Sequence, residues 1–236
     1  MEYEIIATGS TGNAVRINQH ILIDCGVSFK KLQPVMRELN LVLLTHIHGD
    51  HFKGSTVRAL HRARPALRFG CCEWMVEPLI NAGVDKRVID VYKCGDFPYV
   101  YDTRPVLSIR PVMLMHNVPN CGYVICEGNE KAFYATDTGT LDGIRMKNFD
   151  LYLIEANHTT AEIEAAVAEA EANGEYSYRI RAAENHLSQE QATQWLLENM
   201  GPKSSYEFLH QHVNREEADN GRGTNAESVY PYIEDG

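Results

Sequence analysis

Residues 41–54 read "LVLLTHIHGDHFKG". Aliphatic residues 41–44 and Thr45 run straight into His46, His48, Asp50 and His51. The apolar run predicts a short buried strand ending at Thr45, which delivers the polar residues into a loop at a sheet edge. There His46 and His48, two apart, can point the same way, while Asp50 and His51 begin a turn and face back. That arrangement can hold two cations a few ångströms apart, with His46 and His48 on one and Asp50 and His51 on the other. Imidazole and carboxylate suit zinc, and also manganese or iron.

A pair of cations needs ligands from other strand ends, and the sequence offers three. His116 follows the apolar run in "VMLMHNVPNCGY", Asp137 follows "KAFYAT", and His186 precedes a helix start in "NHLSQEQA". Asp137 can bridge two cations, while His116 and His186 complete one site each, leaving room for a water between the ions.

Around these residues, strands are expected at "YEIIA", "NAVRI", "HILIDCG" and "LVLLT" early in the chain. A second batch follows at "RVIDVY", "VLSIRPVML", "GYVICE", "KAFYATD", "DLYLIEA" and "SYEFLHQHV". Helices are expected at "SFKKLQPVMREL", with Pro34 kinking or shortening it, at "STVRALHRA" and at "EWMVEPLINAG", ended by Gly83. Two more carry capping boxes, Thr159 with Glu162 and Ser188 with Gln191; the first stops at Gly174. Strands in two batches with helices between and after them predict one α/β domain of two sheets sandwiched by helices. Its expected extent is residues 1–213, followed by a polar tail over 214–236.

At 236 residues the chain can bury a sizeable core. Its apolar runs fall short of the roughly 20 residues that span a bilayer. The opening "MEYEIIATGS" is acidic and lacks a signal-peptide hydrophobic region, so a cytoplasmic setting without membrane contact is expected. Six cysteines without a CxxC pair read as reduced, mostly buried thiols. A net charge of −10 argues against a general nucleic-acid coat, but not against handling one phosphodiester beside bound cations. The concentrated basic segment is "RALHRARPALR", holding Arg58, Arg62, Arg64 and Arg68, either a solvated helix face or a guide for a polyanion.

HxHxDH followed by His, Asp and His at strand ends resembles the metallo-β-lactamase superfamily, over roughly residues 4 to 215. Within it the chain is most similar to the YycJ/WalJ-like single-domain nucleases: "GSTGNA" resembles their SGSSGN loop, and "ILIDCG", "HNVPNCGY", "TDTG", "LIEANH" and "NHLSQEQA" follow in the expected order. Asn117 stands where aspartate is usual, "HQHVNRE" matches the later H-L-S-x-x-N-N stretch only at His210 and Asn214, and the acidic "AEIEAAVAEAEANGE" occupies a region often basic in relatives. The resemblance implies an αββα sandwich of two mixed sheets flanked by helices, with two divalent metal ions, Zn2+ or Mn2+, at one edge.

It also implies a phosphodiesterase, a 5′-to-3′ exonuclease on single-stranded DNA. Cations sharing a water lower its pKa toward about 7, so that a hydroxide attacks phosphorus in line with the leaving oxygen. Asp50 is then catalytic, and either His158 or His210 can protonate the leaving group. Asp24 either orients a metal-bound histidine or is an ordinary strand-end carboxylate. Ser10, Gly12 and Asn13 can touch a phosphate, though a tight turn explains Gly12 equally well. The competing readings are a cyclic-nucleotide or other small-phosphodiester hydrolase, a thioester or lactam hydrolase, and a metal-stabilised module without turnover.

Overall fold

In a computed structural model, which describes residues 1–173 and 183–211, Leu41–Leu44 forms strand β4, buried throughout. Leu41 and Leu43 face the opposing sheet while Val42 and Leu44 face helices. A strand covered on both sides has no polar face to show, hence the unbroken apolar run. Each such side chain contributes about 1.5–3 kcal/mol by leaving water.

Two six-stranded mixed sheets stack against each other. The first runs β1(Tyr3–Ala7), β2(Ala14–Ile17), β3(Ile21–Ile23), β4, β5(Arg68–Cys72) and β6(Ile89–Tyr92). It is antiparallel through β3 and parallel from β3 to β6. The second comprises β7(Tyr99–Tyr101), β8(Leu107–Leu114), β9(Asn120–Glu127), β10(Glu130–Ala135), β11(Leu151–Glu155) and β12(Ser205–Leu209), neighbours in that order. There β7 to β10 pair antiparallel, and β10, β11 and β12 pair parallel.

Helices α1(Phe29–Leu32), α2(Gly54–Ala63) and α3(Val76–Asn81) cover the first sheet through Leu32, Val57, Leu60 and Leu79. Helix α4(Thr160–Asn173) buries no residue, whereas α5(Gln189–Asn199) covers the second sheet with Ala192, Trp195 and Leu196. Both expected capping boxes form. No described helix is long and apolar enough to cross a membrane.

Three expectations change in detail. The segment from Phe29 gives only one helical turn, because Pro34 has no N–H to continue it. "EWMVEPLINAG" splits into a 3-10 turn, Glu73–Met75, and α3. Strands β5 and β7 were not anticipated; Gly70 interrupts the apolar signal of β5, where a Cβ would come within 2.1 Å of the Tyr92 hydroxyl. All six cysteines are free, with Cys25, Cys71, Cys72 and Cys121 buried. The expected stop at Gly174 and the tail over 214–236 lie outside the described residues.

Because β3, β4, β8, β10, β11 and β12 all run the same way within their sheets, Asp24, His46, His116, Asp137, Glu155 and His210 gather at one edge of the sandwich. Ligands of parallel sheets characteristically bind at the carboxyl ends of strands.

Candidate metal centre

The loop after β4 is fastened from three directions. Asn13 N donates to the Asp50 carbonyl at 2.6 Å, Cys25 N to that of His51 at 2.8 Å, and Phe52 N to that of His48 at 2.7 Å. Gly26 lies so close that a Cβ there would sit 1.6 Å from the Asp50 carbonyl oxygen. Asp24, Asp137 and His210 each adopt a left-handed backbone, with φ of 64°, 58° and 55°. Non-glycine residues rarely hold that conformation, and it concentrates at functional sites. In each case the chain turns sharply as it leaves a strand.

The imidazole nitrogens are aimed by their other ring nitrogens. His46 Nδ1 lies 2.9 Å from the Thr45 hydroxyl, which itself donates to the Asp24 carboxylate at 3.0 Å. His51 Nδ1 donates to Asp24 Oδ2 at 2.6 Å, with both side chains fully buried. His116 Nδ1 faces the Asn185 carbonyl at 3.2 Å. What remains is an inward-facing set: His46 Nε2 is 3.2 Å from His48 Nδ1, which is 3.3 Å from His116 Nε2.

Four groups of potential ligand atoms result, each with members within 4.8 Å of one another: His46, His48 and His116; His46, His51 and Asp137; Asp50, His51 and His210; and Asp137, Glu155, His186 and His210. Asp137 thus stands between the two sides of the site, 2.7 Å from His51 Nε2 and 4.0 Å from His116 Nε2.

The donor set fits divalent cations. Asp137 Oδ2 is buried without a hydrogen-bond partner, although His51 Nε2 is 2.7 Å away. Burial opposes charge on His51, but Asp137 and Asp24 outweigh it and hold its pKa well above the imidazole norm, so this position favours positive charge. With Nδ1–H donated to Asp24, a cation bound between Nε2 and Asp137 would take the place of the Nε2 proton and meet two acceptors. Burial and neighbouring His51 instead press His46 down to about 2, keeping it a neutral donor. His116 is likewise lowered, chiefly by burial.

His186 and His210 stand in different surroundings. His210, first read as a proton donor, is the histidine grouped with Asp50 and His51; its Nε2 is 3.4 Å from Asp50 Oδ2. His186, first read as a ligand, brings Nδ1 to 2.6 Å from Glu155 Oε1 and 3.6 Å from Asp137 Oδ1. Burial opposes its charge, yet Glu155 raises its pKa. His158 joins none of the ligand groups among the described residues; its backbone bridges to Ser188 and its buried Nδ1 has no partner.

Of the loop residues expected to meet substrate, Ser10 is exposed, while Asn13 is buried with its amide nitrogen 2.8 Å from His51 Nε2 and 3.3 Å from Asp50 Oδ2. Asn13 braces the ligand loop. Gly12, at φ 149°, packs where a Cβ would come within 2.5 Å of the Gly26 carbonyl oxygen. Glu155 went unread as a site residue. Its signal was an acidic residue ending the apolar run of "DLYLIEA", where burial demands partners; it has them in His186 and in His210 at 3.0 Å.

Comparison with known proteins places these features in context. A model of the beta-lactamase superfamily domain matches residues 19–208. The chain is 26% identical over 238 residues to the exodeoxyribonuclease WalJ of Streptococcus pneumoniae, covering 91% of this chain and 82% of that one. It is 29% identical over 136 residues to a ribonuclease Z of Phocaeicola vulgatus, covering 50% and 43%. Among solved structures it resembles the metallo-beta-lactamase fold protein YhfI of Bacillus subtilis, with a TM-score of 0.66, 17% identity, and 91% and 88% of the two chains covered.

Proposed function

The chain belongs to the metallo-β-lactamase superfamily, and we propose that within it the protein is a metal-dependent hydrolase of nucleic-acid phosphodiesters, specifically a 5′-to-3′ exonuclease on single-stranded DNA. The carrying observation is the convergence of HxHxDH with His116, Asp137 and His210 at one sheet edge. Similarity to an exodeoxyribonuclease over most of both chains supports the nucleic-acid substrate.

In this reading His46, His48 and His116 would hold one divalent cation, Asp50, His51 and His210 would hold a second, and Asp137 stands within reach of both groups. Zinc and manganese are the metals this donor set suits. When bound, such ions supply Lewis acidity, drawing charge from the phosphoryl oxygens and making water acidic enough to attack near neutral pH.

The chain's own residues do the rest. Asp24 and Thr45 fix the ring orientations of His51 and His46. Asn13 holds the loop that carries Asp50. His186, charged through its contact with Glu155 and partly open to solvent, gives a proton to the leaving oxygen. The roles of His186 and His210 are thereby exchanged relative to the sequence reading.

The test is hydrolysis of 5′-labelled single-stranded DNA, single-stranded RNA and a cyclic mononucleotide, each with added manganese or zinc. Stepwise loss from the 5′ end of DNA is expected, and Asp50→Ala abolishes it in a folded protein. Cleavage of the cyclic mononucleotide alone would replace the exonuclease reading with a small-phosphodiester one; cleavage of none would end both.

A further inference from the structure

We infer that the nucleic-acid strand reaches the metal edge across the outer face of α1 and α2, on a basic track of Lys30, Lys31, Lys53, Arg58 and Arg62. The inference rests on the phosphodiesterase reading and adds the route of the substrate.

Charge is divided unevenly along this chain. Residues 28–88 hold ten Lys and Arg against five Asp and Glu, a net +5 in a chain whose total is −10. One of those five acids, Asp50, belongs to the metal centre. The fold decides which cations are free. Of the four arginines in "RALHRARPALR", Arg64 is spent on the Met36 and Arg37 carbonyls and Arg68 on Asp90. Arg58 uses only Nε, on the Ala82 carbonyl at 3.0 Å, and Arg62 is exposed. Four residues apart on α2, they share one helix face. Lys30, Lys31 and Lys53 lie at the starts of α1 and α2, where Thr56 Oγ1 donates to the Val27 carbonyl and Lys53 N to that of Cys25. Among the described residues none of these five cations forms an ion pair, unlike Arg16, Arg68 and Arg87.

The opposite lip repels a polyanion. Helix α4, which begins two residues after His158, carries Glu162, Glu164, Glu169 and Glu171 with no Lys or Arg. Glu190 stands beside it, accepting from Thr160 N. Basic and acidic lips flanking one edge orient an entering strand: phosphates run outward along α2, whose ten residues rise about 15 Å.

The experiment compares the full chain with K30A/K31A/R58A/R62A and with a control, K131A/K203A, whose lysines sit at the far end of the second sheet. Binding of a fluorescein-labelled single-stranded DNA oligonucleotide is measured against salt, and its kcat/KM is taken relative to that for bis-p-nitrophenyl phosphate. Every phosphate of a single strand that the protein neutralises adds about 0.7 to the steepness of log K against log salt. The track variant should be shallower by about 1.5–3 and at least tenfold lower in relative kcat/KM, and the control should match the parent in both. An unchanged slope, or an equal fall in the control, overturns the track. Should the parent hydrolyse neither substrate, the phosphodiesterase reading fails while the binding slopes still decide the track. If the fourfold variant does not fold, the two pairs of substitutions are measured separately, each expected to remove part of the slope.

Discussion

Asp24 accepts a hydrogen bond from His51 Nδ1 at 2.6 Å in a site where neither side chain meets solvent, and the same carboxylate accepts the backbone N–H and hydroxyl of Thr45. One buried acid therefore sets the orientation of His51 directly and of His46 through Thr45. Groups that orient metal-binding imidazoles in this way typically change affinity 10–100-fold on mutation. Asp24→Asn should lower zinc affinity by about that factor, read by competition with a chromogenic chelator. Parent-like affinity in the variant would make Asp24 an ordinary strand-end carboxylate.

His186 and His210 offer the sharpest division of labour. Both touch Glu155, but only His210 stands with Asp50 and His51. His210→Ala should reduce the bound metal per chain, measured by elemental analysis after dialysis. His186→Ala should keep its metal and lose about 10²–10⁴-fold in kcat, the usual worth of a positioned proton donor, with KM nearly unchanged. The reverse pattern would return the ligand role to His186.

These two residues also mark where the sequence stopped being legible. HxHxDH declares itself because its residues are adjacent along the chain and follow an apolar strand, so local pattern fixes both their element and their direction. His116 and Asp137 were proposed by the same rule, and the fold brings both to the same edge as HxHxDH. His186 and His210 are both histidines just outside regular structure, and choosing between them requires knowing that β12 lies beside β11, a pairing with no local signature. Glu155 was hidden by the opposite problem, since an acid at the end of an apolar run looks like a strand terminator until its two histidine partners arrive from distant segments. The fold class was more readable because apolar runs of strand length recur in two batches with helices between and after them, whereas β5, with its internal glycine, shows how one close approach can mask such a run.

Gly26 is required by proximity. A methyl group there would overlap the Asp50 carbonyl at 1.6 Å, and that carbonyl also receives Asn13 N. Backbone cannot yield as a flexible side chain does, so Gly26→Ala must push the ligand loop away from the turn after β3. A loss of about 3 kcal/mol or more is expected, seen as a lower urea midpoint together with reduced metal content. An alanine variant matching the parent in both would show that this approach is not so close.

Metal removal should register in stability as well as in activity. Asp24, Asp137 and Glu155 are buried at one edge of the sandwich, with Asp50 partly buried beside them. Their charges are balanced in part by crowded imidazoles, and His46 is held neutral by burial. Cations bound there attach to the folded chain alone, because the ligands are scattered from His46 to His210 and converge only on folding. At a free metal concentration of about 100 Kd, one such ion stabilises by about 2.7 kcal/mol. For a chain of this size that corresponds to roughly 5–10 °C in Tm. Excess chelator should lower Tm by an amount of this order, and zinc or manganese should restore it. Asp137→Asn, which loses the carboxylate charge between the two sides of the site, should show a much smaller chelator shift. A parent Tm indifferent to chelator, in protein first shown to carry metal, would mean that the ions contribute nothing to holding this edge together.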